Sequence, residues 1–211
     1  MILSYGLTVC DEHKEIKNLI EFIIEHKQQE DEIVVVYDQN RVTDEVMGVL
    51  NEYKQINTYP FNFQQNFLEN KNFLNSKCNG DYIFQLDADE IPNESLVKSL
   101  KPILEANEGI DLFITPRKNL VEGLTPEHIQ KWRWNVNDQG WVNWPDAQKR
   151  IYKNTSEIQW SGHIVHGMVS GYKTYSTLPF EEIYSITHNK TINRQETQNN
   201  RYNQIEKGEL K

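Results

Sequence analysis

The stretch DYIFQLDADEIP, residues 81–92, sets three acids among four positions at the end of an aromatic and aliphatic run. Two ionised carboxylates about 4 Å apart repel by about 4 kcal/mol at an effective dielectric near 20. A cluster of this kind therefore calls for something positive among the acids. On an extended strand residues i and i+2 point the same way, which predicts Asp87 and Asp89 on one face with Ala88 turned back. Such an oxygen-only pair suits Mg²⁺ or Mn²⁺, held by one or two carboxylates while water and substrate phosphates complete the shell. A metal there would let an acidic chain accept a diphosphate. The plain alternative is a solvated acidic turn in which Glu90 favours the start of the next helix.

Other residues could do chemistry further along. Arg117, Lys118, Arg150 and Arg194 could neutralise phosphate or bind sugar hydroxyls, or could be solvated surface charge. All five tryptophans, Trp132, Trp134, Trp141, Trp144 and Trp160, lie between residues 117 and 177. Their faces could stack on pyranose rings, or could pack a core. His163 and His166 have an H-x-x-H spacing, but strand geometry predicts them on opposite faces, and no cysteine lies nearby, which argues against zinc.

These residues need elements to position them. Residues 2–9 are expected as a strand, and Ile16, Leu19, Ile20, Ile23 and Ile24 then follow helical spacing. EIVVVYD is a β-branched run suited to a strand buried on both faces. Helices are predicted over 43–55 and 63–78, the second with Phe63, Phe67, Leu74 and Cys78 on one face. After the YIFQL strand and Pro92, a helix is predicted from an Asn93 cap, with Leu96, Val97, Leu100, Ile103 and Leu104 as its stripe and a kink at Pro102. DLFIT is a further buried strand.

Repeated strand–helix–strand units predict an α/β fold, a Rossmann-type mixed, mainly parallel sheet with helices on both faces and a β-rich C-terminal half. Ligands on such sheets sit beyond the carboxyl ends of the strands. Cys10, Asp11 and Glu12 end the first strand, Asp38 and Gln39 the second, and Asp87 and Asp89 the YIFQL strand, so their polar groups should converge on one crevice. The last stretch, 191–211, is polar and is expected as a terminal helix or as a linker to a further fused or docked domain.

At 211 residues one domain is the natural expectation, and the net charge of −9 argues against a binder of nucleic-acid polymers, which usually carries a basic face. No apolar run approaches the 18 or so residues of a membrane span. The N-terminus reaches acids too soon for a signal peptide. Cys10 and Cys78 are expected in core-facing positions as unpaired thiols, which fits a reducing, cytoplasmic setting.

Taken together, KNFLNSKCNGDYIFQLDADEIP resembles nucleotide-sugar glycosyltransferases of the GT-A fold, family 2 in particular. In that family an Arg/Lys–Asn pair on a helix precedes Gly-Asp-Tyr-Ile, an apolar strand and Asp-x-Asp. TVCDEHKEIKNLIEFI resembles the family's first strand and helix, and IVVVYDQN its second strand. DADE, WPDAQKRIYKN with WSGHIVHG, and ITHNK with NNRY resemble a bacterial and viral branch acting on lipopolysaccharide cores and related glycans, including glycosyltransferases of large algal viruses. The resemblance spans about residues 3–203.

It implies a single GT-A domain over 1–190, with a nucleotide-sugar-binding half at 1–116 and an acceptor-side half at 117–190. It assigns Thr8, Cys10 and Glu12 to the nucleotide-contacting turn, Asp38 to the base, and Lys71, Asn72, Asp87 and Ala88 to the donor. Asp87, Asp89 and His188 would hold Mn²⁺ or Mg²⁺, with a UDP-sugar as donor and a glycan as acceptor. His166 would be the runner-up metal ligand or a diphosphate contact, Arg150 a contact to phosphate or sugar, and Asp146 the base of an inverting transfer; stereochemistry stays open. Trp144 and Trp160 flank the matching motifs and are the expected sugar contacts. Gly167 departs from the pattern, because the family's Val-His pair is usually followed by Glu.

Other classes remain open at this point. A non-catalytic glycan-binding module would account for the tryptophans. A haloacid-dehalogenase-type phosphatase also sets D-x-D after an apolar strand, but with Thr or Val two residues after the second Asp, where this chain has Ile91. A sugar-nucleotide pyrophosphorylase would need a Gly-rich, Arg-containing loop after the first strand, and CDEHKE has none.

Overall fold

A computed structural model of the chain describes residues 1–209. Strands β1 (Leu3–Val9), β2 (Glu32–Asp38), β3 (Asn57–Phe61) and β4 (Tyr82–Asp87) lie parallel in the order β3-β2-β1-β4. Helices α1 (His13–His26), α2 (Asp44–Glu52) and α3 (Phe67–Asn75) connect them. The chain builds outward from β1 to β3 and then returns across β1 to lay down β4. That reversal makes the β1/β4 boundary a switch point, where the loops beyond the two strand ends part and leave a crevice.

Beyond β4 come β5 (Glu90–Pro92), α4 (Glu94–Ala106), β6 (Leu112–Glu122), α5 (Pro126–Trp132), β7 (Val142–Lys153), β8 (Gln159–Ser161), β9 (Met168–Ser170), β10 (Tyr175–Thr177), β11 (Ile186–Thr191) and α6 (Ile192–Glu206). The sheet continues β4-β7-β6-β11-β5, with β10 beside β6, and is mixed because β7 is antiparallel to both neighbours. β8 and β9 form a separate antiparallel pair. Among the described residues no helix is long and apolar enough to cross a membrane.

The sheet separates two cores, and the alternation of its strands decides which residue enters which. Ile33 and Val35 of β2 join Ile16, Leu19, Ile20 and Ile23 of α1, whereas Val34 and Val36 join Leu74 of α3 with Tyr152 and Trp160. This two-sided burial is why EIVVVYD is apolar without a break. α4 is capped as expected, with the Asn93 side chain accepting from Ser95 N, and continues past Pro102.

Two elements differ from the sequence expectation. α3 begins at Phe67, not near residue 63, because Gln65 adopts φ 60° and the Asn66 side chain caps the helix by accepting from Leu68 N and Glu69 N. β4 ends at Asp87, and Ala88 and Asp89 form a turn into β5, so the two aspartates do not share one face of an extended strand. Asp87 is the register partner of Thr8, one residue before β1 itself ends, and past that point β4 has no neighbour to hold it extended.

Candidate active site

The ends of β1, β2, β4 and β11, with α3, α6 and part of β6, enclose a cleft of about 730 Å³. Its floor answers the charge problem posed by the acids. Asp87 Oδ1 accepts from Thr8 Oγ1 at 3.0 Å and Gln85 Nε2 at 3.1 Å, and Oδ2 accepts from Arg150 Nη2 at 2.8 Å. Arg150 is 4% exposed; it also donates to Gln85 Oε1 and, at 2.7 Å, to Glu90 Oε1, a carboxylate 1% exposed. Arg117 completes the layer, donating to Glu90 Oε1 at 2.7 Å and twice to Asp146 Oδ2, at 2.9 and 2.6 Å. Burial would raise the Asp87 carboxyl, but Arg150 and then Lys71 outweigh it and hold it well below the usual range.

Arg150 is therefore engaged by the acids. It lies beneath Asp87, outside the residues that line the cleft, because β7 pairs with β4 and brings it under the acids. Asn72 is likewise outside the lining: its Oδ1 accepts from Trp160 N at 2.8 Å and its Nδ2 donates to Trp160 O at 2.9 Å, which ties it to the Trp160 main chain. Lys71 does line the cleft, with Nζ 4.1 Å from the Trp160 ring centroid and 3.5 Å from Asp87 Oδ1. Burial lowers its ammonium to about 8 despite Asp87.

Asp89 turns the other way, toward β11. Asn119 donates through Nδ2 to Val142 O at 3.3 Å and Asp146 Oδ2 at 2.9 Å, so its Oδ1 faces His188 Nδ1 at 2.8 Å and takes that proton. His188 Nε2 then points at Asp89 Oδ2, 3.4 Å away. A neutral ring would set lone pair against lone pair there. A cation between the two atoms would relieve that opposition. Burial raises the Asp89 carboxyl, but His188 and Lys190 bring it below its ordinary value. Among the described residues no three His, Cys, Asp or Glu side chains form a ready metal cage. Two protein ligands suit Mg²⁺ or Mn²⁺, which keep waters and take phosphate oxygens, so Asp89 and His188 fit such an ion.

The β1 end is organised by Glu12. Its Oε2 accepts from Cys10 N at 2.7 Å and Asp11 N at 3.0 Å, and its Oε1 is ion-paired with Arg194 of α6. Burial raises the Glu12 carboxyl above its usual value. Thr8, Cys10, Glu12, Asp38 and Ala88 all line the cleft. Cys10 and Cys78 are both unpaired, and burial pushes both thiols to about 12. Cys78 enters the core, whereas Cys10 faces the cleft.

On the opposite wall Asp146 lines the cleft with Oδ2 saturated by Arg117 and Asn119, while Oδ1 accepts from Gln148 Nε2 at 2.8 Å. Burial raises its carboxyl, but Arg117 prevails and holds it below the ordinary range. His166 is 66% exposed and does not line the cleft; its Nε2 is 3.5 Å from Glu206 Oε1. His163 and His166 were expected on opposite faces of a strand. They lie in a loop, with rings stacked 5.9 Å apart. Trp160 lines the cleft and Trp144 does not; Trp134, one of the five tryptophans considered for stacking, lines it instead. Gly167 also lines it, and a Cβ there would stand 2.0 Å from Leu68 Cδ2, so any larger residue requires Leu68 to move.

Asn119 in the lining was not singled out from the sequence, and Lys190, Arg201 and Tyr202 entered only within the ITHNK and NNRY motifs, with no role assigned. The signal was present as a polar stripe. Arg194, Thr197, Gln198, Arg201 and Tyr202 follow helical spacing on one face of α6, and a search for apolar periodicity passes over such a face.

A cleft lined by interleaved carboxylates and cations, with an Asp–His pair among them, has the kinds of group that a divalent cation and a diphosphate need. Known structures share its scaffold. The chain is similar to S. aureus TarS 1–349 with TM-score 0.61 at 14% identity, over 90% of this chain and 60% of that one. It is similar to TarS 1–349 in complex with UDP-GlcNAc (0.60, 14%, 89% and 58%) and with UDP (0.58, 15%, 89% and 60%). The chain thus spans about 60% of the length of the TarS 1–349 structures. Comparison with curated proteins finds no match. The family model for glycosyl transferase family 2 matches residues 4–184, most of the chain, and on that match the chain belongs to glycosyl transferase family 2.

Proposed function

We propose that the chain is a metal-dependent glycosyltransferase that moves a sugar from a nucleoside diphosphate sugar, a UDP-sugar first among them, to a hydroxyl of a glycan acceptor. The observation that carries this is the cleft at the β1/β4 switch point, with Asp89 and His188 poised across 3.4 Å and unspent cations facing them. Family membership and the TarS 1–349 structures solved with UDP and UDP-GlcNAc support it.

In this reading Asp38, at the end of β2, meets the base, and the Thr8–Glu12 turn meets the ribose and phosphates. Lys71, braced by Trp160, takes a diphosphate oxygen. Asp89 and His188 hold the metal, whose chemistry is Lewis-acid stabilisation of the departing diphosphate. Asp87 fixes the turn that aims Asp89. Asp146 presents its less encumbered Oδ1 to the acceptor hydroxyl. Its pairing with Arg117 keeps it ionised but makes it a weak proton acceptor, since a general base works best with a pKa near the operating pH. Residues 1–116 then supply the donor half and 117–190 the acceptor side. Two free thiols support a reducing compartment, the cytoplasm.

Calorimetric titration of UDP with and without Mn²⁺, on the native chain and on Asp89→Asn, tests the reading. Binding should need both the metal and Asp89. Binding indifferent to both would reduce the acids to a structural turn, and no binding of UDP would defeat the UDP-sugar assignment.

A further inference from the structure

Three cations line the β11–α6 side of the cleft: Lys190, Arg194 and Arg201. Lys190 Nζ donates to Gln198 Oε1 at 2.6 Å, and Arg201 Nη2 donates to Gln65 Oε1 at 3.1 Å while lying 5.8 Å from the Phe63 ring centroid. Among the described residues neither has a carboxylate within ion-pair distance. Arg194 differs. It reaches across the cleft, pairs with Glu12 Oε1 through Nη2, and sets Nη1 3.9 Å from Glu15 Oε1 and Nε 3.9 Å from Asp89 Oδ2.

Its hold on these acids is uneven. The Glu12 contact is a charge-assisted hydrogen bond, whereas at 3.9 Å the contact to Asp89 is attraction without one. The side chain is one-third exposed and so can turn. α6 itself has only Ile205 buried, and its cleft-facing stripe makes polar contacts that a polar ligand can replace. Asp89 is also the carboxylate that fits a divalent ion, and a guanidinium and a metal cannot both neutralise it without repelling each other. A diphosphate entering between the acidic and basic walls offers Arg194 a second, bidentate anion.

Resting on the donor reading above, we propose that Arg194 exchanges between two anions, the Glu12–Asp89 carboxylates and the diphosphate of the donor, and that it competes with a divalent cation for Asp89. It is thereby a donor-binding residue that couples nucleotide entry to metal affinity. Lys190 and Arg201 flank the same path and steer the phosphates to it.

The test is calorimetry on the full chain with Mn²⁺ alone, and then with UDP at saturating Mn²⁺, for the native protein, Arg194→Ala and Arg194→Lys. Arg194→Ala should bind Mn²⁺ at least threefold tighter and UDP at least tenfold weaker, the latter about 1.4 kcal/mol. Arg194→Lys keeps the charge but not the planar fork, and should lose several-fold in UDP affinity with Mn²⁺ affinity close to native. Equal Mn²⁺ affinity in native and alanine proteins, including none in either, overturns the exchange even if UDP weakens, because a purely structural Arg194 predicts that result. Unchanged UDP affinity overturns the donor contact. Should the alanine variant fail to fold, native UDP affinity in Arg194→Lys overturns it. A native chain that binds no UDP with Mn²⁺ present defeats the donor reading itself, and does so before any variant is compared.

Discussion

Replacing Arg150 by Met tests the charged floor of the cleft. The substitution removes donors to Gln85, Asp87 and Glu90 from a side chain that is 4% exposed. Glu90 retains Arg117 at 2.7 Å, but Asp87 is left with Lys71 at 3.5 Å as its nearest cation. Removing one member of a buried ion pair costs about 3–5 kcal/mol; Asp87, one-third exposed toward the cleft, can be partly rehydrated, which places the loss toward the lower bound. Domains are stable by about 5–15 kcal/mol, so Arg150→Met should be among the most damaging single changes in the chain. Urea unfolding reads it directly. With a slope of about 2 kcal/mol per molar the midpoint should fall by about 1.5–2.5 M, nearer the lower figure, at constant slope. Adding Asp87→Asn should recover part of the loss, since it removes the charge left without its partner while Glu90 keeps Arg117. The pH dependence has a definite sign. Asp87 titrates lower in the folded protein than unfolded, so its stabilisation is present above the unfolded carboxyl value and is lost as pH falls through the folded one. The gap between native and Arg150→Met should narrow toward acid. A loss below about 1 kcal/mol, or no recovery in the double variant, would refute the reasoning.

Three further outcomes are expected. Asn72→Ala removes both hydrogen bonds to the Trp160 main chain and should cost about 1–3 kcal/mol in thermal or urea unfolding; Asn72→Asp, which sets a carboxylate oxygen against Trp160 O in place of the donor, should cost at least as much. Gly167→Ala should destabilise by about 1–3 kcal/mol through its clash with Leu68, and Leu68→Ala should reduce that penalty in a double-mutant cycle. Asp111 is held at about 2, chiefly by the Lys173 N–H, against burial and with help from Lys153. Its stabilisation is therefore present above the unfolded value of 3.8 and lost as pH falls through about 2. The melting-temperature difference between native and Asp111→Asn should shrink between pH 5 and pH 2.

Much of the scaffold was legible in the sequence because it rests on local pattern. The β-branched run of β2, the Ile16–Ile23 stripe and the Asn93 cap each depend on a few neighbouring residues, and each formed as expected. The crevice was legible too, because alternating strands and helices place polar strand ends at a switch point, and Thr8 and Asp87 do meet there. What stayed hidden depends on long-range pairing. Arg150 lies 63 residues from Asp87, and nothing local marks it as the cation beneath the acids rather than one above them. The D-x-D turn was misjudged because the i, i+2 rule presupposes a strand, and β4 stops where its pairing with β1 runs out. Of α6 only Arg194 drew a role, because the rest of its informative stripe is polar and carries no apolar periodicity.

The most direct test of the central claim is a crystal structure with UDP and Mn²⁺, with the metal located by anomalous scattering. The account predicts a Mn²⁺ peak between Asp89 and His188, the diphosphate between that ion and the Lys71, Lys190 and Arg194 side chains, and the uracil beside Asp38. A Mn²⁺ peak elsewhere, or a nucleotide bound outside the β1/β4 crevice, would contradict it.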